Sequence, residues 1–135
     1  MKWLFWCMAC IMSLGMQAPG APLSDQVAAV FDRYVELPQE LLPVLESVQD
    51  KASADEAAPR LMNLLQKVYD SRKELNAIPS LTEDQAAQVR RLYEKSMRER
   101  WGKVYEQLFR LQRVRCYDSM PMLKQFSTLC ALLEK

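Results

Sequence analysis

With 135 residues, half of them apolar, the chain can bury one core and is too short for a second domain. Histidine is absent and glycine occurs only at positions 15, 20 and 102, which removes the commonest general base and metal ligand along with Gly-rich phosphate loops and most tight hairpins. The formal charge of +1 includes Lys2; without it 17 basic residues face 17 acidic ones, a balance that argues against nucleic acid as a partner.

The first stretch, residues 1–18, carries one positive charge, then an uncharged apolar run from Trp3 to Met16, then Ala18, Pro19, Gly20, Ala21 and Pro22. This order is that of a secretory signal peptide, assigned to residues 1–20, with cleavage in the region 18–21. The run of 14 residues from Trp3 to Met16 falls short of the roughly 20 that a spanning helix needs, so no stable membrane insertion is expected after cleavage. Cys7 and Cys10 imitate a redox spacing but lie inside the segment to be removed. Residues 21–135 are then a single domain, periplasmic or secreted.

In that domain Ser24 is a natural N-cap, and Val27, Phe31, Tyr34, Pro38, Leu41, Leu45 and Val48 alternate at steps of four and three, the spacing of one helix face. Pro38 and Pro43 predict a kink or break between Leu37 and Pro43. The opposite side holds Asp25, Asp32, Glu36, Glu40, Glu46 and Asp50 against Arg33, so this helix is acidic. A second helix is predicted from a capping box of Ser53 with Glu56 to about Ala77, bent at its start by Pro59. Its stripe is Leu61, Leu65, Val68 and Leu75; Arg72 lies within it, where its stem would cover apolar surface and its guanidinium reach an end of the bundle or a carboxylate.

The longest helix is predicted from Thr82 to Arg115. Ala86, Val89, Tyr93, Met97, Trp101, Val104, Leu108 and Leu111 fall in a stripe about 120° wide, the width of a core-facing surface. Thr82 and Gln85 form a capping box, Glu83 and Asp84 sit at the positive end of the dipole, and Arg110, Arg113 and Arg115 at the negative end. Basic residues dominate this helix and complement the first, which favours those two as parallel neighbours in an up-down-up bundle. Gly102 interrupts it at a cost of about 1 kcal/mol against alanine, and offers close approach to another backbone. Tyr105 and Phe109 lie off the core stripe, continue round from Trp101, and are accompanied by Arg91, Arg98 and Arg113. Aromatics with arginine are typical interface anchors, so this set is the candidate partner-binding surface; the alternative is contact with a second neighbouring helix.

A short last helix from about Met120 to Leu133 presents Met122, Phe126, Leu129, Cys130 and Leu133. The fold class is therefore all-α, an up-and-down bundle of three long helices and a shorter C-terminal one. In an oxidising compartment Cys116 and Cys130 are expected to form an intramolecular disulfide. A tight hairpin at Ser119 would leave Cys130 roughly 12 Å too far along its helix, so the bond needs Cys116 to Met120 to run extended beside the last helix. The alternatives are buried thiols or a disulfide between chains.

The segment Ser53-Ala54-Asp55-Glu56-Ala57-Ala58-Pro59-Arg60-Leu61, followed by Leu64, resembles one found in uncharacterised small secreted helical proteins of Gram-negative bacteria. The resemblance implies an exported helical protein and no chemistry. No catalytic triad, metal cluster or nucleotide loop can be assembled from the chain, and no cofactor is expected. The carboxylate pairs Asp55-Glu56 and Glu83-Asp84 lie at helix starts, where capping and the dipole account for them. The expected function is a non-enzymatic, monomeric or weakly associating module that binds a protein or peptide. A carrier of an apolar ligand held near Met97, Trp101, Leu108, Met122 and Phe126 is the alternative.

Overall fold

Ser24 opens the first helix as the sequence predicts, its hydroxyl accepting the Val27 N–H at 3.3 Å. The computed structural model describes residues 23–134, so the expected signal peptide with Cys7 and Cys10 lies outside the described residues. Helix α1 spans Asp25–Glu46 and runs through both prolines as one helix, so of the expected kink or break the break does not occur. The reason is visible at Pro38, which has no N–H to give the carbonyl of Tyr34 four residues earlier. The Trp101 indole N–H donates to that carbonyl at 3.1 Å, replacing the missing helix bond from a neighbouring helix.

Helix α2 spans Lys51–Asn76. Its N-cap is Asp50, not Ser53: the Asp50 carboxylate accepts the Ser53 N–H at 2.7 Å, while the Ser53 hydroxyl accepts the Asp50 N–H at 3.0 Å. Asp50 is as good a cap as serine and lies three residues ahead, so Ser53 becomes the reciprocal partner instead of the cap. Those bonds to Ser53 hold the Asp50 carboxyl below its ordinary pKa. Pro59 sits inside α2, which continues past it. Arg72 is more deeply placed than expected, 5% exposed beside buried Ser71. Helix α3 spans Glu83–Arg113 and carries the expected Thr82–Gln85 capping box. Residues Arg115–Asp118 make a compact turn with φ between 50° and 58°, and α4 spans Met120–Glu134. The link is left-handed and short, in place of the extended run that a Cys116–Cys130 bond would need.

Pairs across the helices fix their directions. Arg33–Glu74 and Lys67–Glu40 run antiparallel between α1 and α2. Leu23–Gln88, Ala28–Tyr93, Tyr34–Trp101 and Leu45–Arg110 keep a nearly constant offset, so α1 and α3 run parallel as neighbours, as their charges suggested. Helix α4 packs on α2, its start tied by the buried Ser119 hydroxyl donating to Asp55. Thus α1 sits between α2 and α3, and α3 has no approach to α4 comparable to its packing on α1. The result is an all-α bundle of three long helices and a shorter fourth, with no strand among the described residues. None of the described helices is long and apolar enough to cross a membrane.

Candidate functional site

The core stripe of α3 is buried as its spacing requires, including Trp101 at 1% exposure. Its ring stacks on Tyr34 with centroids 4.9 Å apart, and its N–H is engaged by the Tyr34 carbonyl. Trp101 therefore belongs to the core, and its expected place on a partner-binding surface is corrected. Trp101 lies at the edge of the stripe next to Tyr105, and its indole N–H serves the carbonyl freed by Pro38; sequence periodicity alone gives no hint of that bond.

Tyr105 is half-buried, tilted 44° against Trp101 at 6.4 Å, and Phe109 is 62% exposed. Arg91, Arg98 and Arg113 are exposed, and Arg98 pairs with Glu94 at 2.7 Å. The structure thus keeps five of the six candidate residues on the surface or at its edge. They share one flank of α3, because steps of four and three lead from Arg91 through Lys95, Arg98 and Gly102 to Tyr105 and Phe109. Lys95 and Gly102 are members of this flank that the sequence reading did not place there. Stepping back by sevens from Phe109 would have found both, first Gly102 and then Lys95.

Gly102 has no positive φ, and a side chain added there would meet nothing within 4 Å. No backbone of the described residues makes the close approach that the glycine offers. Leu92 is also exposed, at 56%, but lies round the helix from this flank.

Elsewhere the chemistry is quiet. Among the described residues no group of three or more His, Cys, Asp or Glu is placed to hold a metal ion. Cys116 and Cys130 are free thiols in place of the expected disulfide, although they lie near each other, and the compact left-handed turn takes the place of the expected extended link. Burial, then the neighbouring Cys130, pushes the Cys116 thiol up to about 11, with Arg110 opposing. Burial and then Glu134 raise Cys130 as well. Both are thus protonated near neutrality and poor nucleophiles. Tyr93 is pushed up to about 12 by burial and by the nearby Asp32 carboxylate, while its hydroxyl donates to the Ala28 carbonyl at 3.3 Å. Asp55, Glu56, Glu83 and Asp84 are exposed at helix starts.

Against known protein families, curated proteins and solved structures, the chain finds no match.

Proposed function

We propose that the protein is an exported, non-enzymatic helical module of the periplasm or cell exterior that binds a protein or peptide on the open flank of α3. The observation that carries this is Phe109: a large aromatic, 62% exposed, beside Tyr105 and between exposed arginines. Holding such a ring in water forgoes the free energy of burying it, and aromatic and arginine side chains are the common anchors of interfaces. Export is supported by the residue order of the leader and by the resemblance at Ser53 to Leu61. The balanced charge of the domain supports no role for nucleic acid. The carrier reading gains nothing comparable, since Met97, Trp101, Leu108 and Met122 all fill the core.

A photo-crosslinking residue at position 109, introduced in cells that export the protein, tests this reading. A discrete adduct from position 109, absent from the same residue at exposed Glu36 on α1, is the expected result. No adduct at 109, or the same adducts from both positions, overturns it.

A further inference from the structure

A helix gives up stability where glycine stands in place of alanine, and at Gly102 neither a positive φ nor a crowded Cβ accounts for the loss. Gly102 lies on the outward side of α3, away from the buried stripe. At about 100° per residue, the positions three, four and seven residues to either side of it fall within about 60° of its direction. They are Glu99 and Tyr105, Arg98 and Glu106, and Lys95 and Phe109; all are exposed except the half-buried Tyr105.

Two copies of one helix laid antiparallel across a shared midpoint are related by a two-fold axis, which sets each residue before the midpoint opposite the residue equally far beyond it on the other copy. With Gly102 on that axis, every one of these positions meets a complementary side chain. Arg98 of one copy faces Glu106 of the other, an ion pair made twice. Lys95 faces Phe109, its stem against the ring and its ammonium near the face. Glu99 faces Tyr105, a carboxylate opposite a phenol. Eight residues out, Glu94 faces Arg110, which is already bonded to α1 carbonyls, and the exposed Glu94–Arg98 pair within one chain contributes little and can be exchanged. The like charges Arg91 and Arg113 face each other only eleven residues out, about 16 Å from the midpoint, where helices crossing at about 20–50° have diverged. The mixed charge of this face favours neither an acidic nor a basic partner, but its order about Gly102 makes it complementary to itself.

We propose that the partner on this flank is a second copy of this chain, whose α3 crosses the first antiparallel at Gly102. This rests on the reading of the flank as a docking surface and names its occupant. Side chains at the crossing point ordinarily hold helix axes about 8–10 Å apart, so glycine there admits the closest approach and brings the flanking pairs into reach. Aromatic contact supplies the attraction and the charges set the register.

Sedimentation equilibrium of the exported protein between about 1 μM and 1 mM tests this. The mass rises from one chain to two and stops there, because a two-fold contact closes on itself. Arg98→Glu and Glu106→Arg each set like charges opposite one another and weaken association by at least about tenfold, and the two substitutions in one chain restore it. An equal mixture of the two single variants also associates, since the altered position of each then faces the charge that the other supplies. Gly102→Trp leaves a single chain and keeps the helical circular dichroism of the parent. A single chain throughout that range, a mass that grows beyond two chains, association that survives Gly102→Trp, or single variants that fail to associate when mixed overturns the proposal. A photo-adduct from position 109 with the mass of two chains agrees with it. An adduct with a different protein, from a chain that stays single in solution, refutes the second copy and leaves the docking surface standing; no adduct from position 109 overturns both.

Discussion

A proline inside a helix leaves two problems, a ring that crowds the preceding turn and a carbonyl without its donor. At Pro38 the second is answered from α3 by the Trp101 indole, which is almost wholly buried and 3.1 Å from the Tyr34 carbonyl. The bond makes a local prediction. Trp101→Phe retains much of the ring's apolar surface but leaves the carbonyl without that donor, so it should cost about 2–4 kcal/mol of stability from the lost bond and the smaller side chain together. In a Pro38→Ala background residue 38 has an N–H of its own for the Tyr34 carbonyl, and the same substitution should cost at least about 1 kcal/mol less. Urea unfolding of the four proteins measures this coupling. Equal costs in the two backgrounds would mean that Trp101 acts through packing alone.

Between α3 and α4 the chain turns through four consecutive residues in the left-handed region, Arg115, Cys116, Tyr117 and Asp118, none of them glycine. That conformation costs roughly 1–2 kcal/mol per L-residue, and the turn is held by its surroundings: Cys116 is fully buried and Ser119 ties the start of α4 to Asp55. At Arg115, which is exposed, glycine should therefore stabilise the protein, by about 0.5–1 kcal/mol after its greater freedom in the unfolded chain is counted. Thermal melting of Arg115→Gly should show a higher midpoint; a lower one would show that the Arg115 side chain holds the turn. This link was the least legible element in the sequence. Long helices announce themselves by periodicity, so α3 and its capping box were readable at Thr82 and Gln85. A left-handed turn with no glycine has no local signature, and the two cysteines suggested an extended link from Cys116 to Met120 in its place. The same blindness applies to the cysteines: an even pair is visible in sequence, but the compact path that brings Cys116 near Cys130 as free thiols is set by tertiary contacts at Cys116 and Ser119. The open flank was partly legible, because Phe109 and the arginines follow the helix period. Trp101 was legible as core from the helix period, although it was also counted at the edge of the partner-binding surface; its bond to the Tyr34 carbonyl, which depends on Pro38 in another helix, was not legible.

At the scale of the whole molecule, opposite charge on α1 and α3 suggested how they would pair, and side-chain bonds to backbone carbonyls join them as well. The salt bridges Arg33–Glu74 and Lys67–Glu40 lie between α1 and α2, with side chains 43–58% exposed, where such pairs contribute about 0–1 kcal/mol. Between α1 and α3 the bonds run from α3 side chains to α1 carbonyls. Arg110 makes two of them, to Val48 at 2.8 Å and to Leu45 at 2.9 Å, at the end of α1 where helix carbonyls lack donors and the dipole favours a cation. Its Nε also donates to Gln107 at 2.8 Å, which fixes the guanidinium as it reaches across. Arg110→Met keeps a stem of similar bulk and removes these bonds, so it should destabilise the protein by about 3 kcal/mol, the loss expected for two hydrogen bonds from a charged, half-buried donor. Arg33→Met and Lys67→Met, which each break one exposed salt bridge, should stay within about 1 kcal/mol of the parent. Urea unfolding at low and high salt distinguishes the two kinds of contact: the small losses at Arg33 and Lys67 should shrink further in salt, whereas the loss at Arg110 should persist because its acceptors are neutral carbonyls. A loss at Arg110 no larger than those at the surface pairs would mean that apolar packing alone joins α1 to α3.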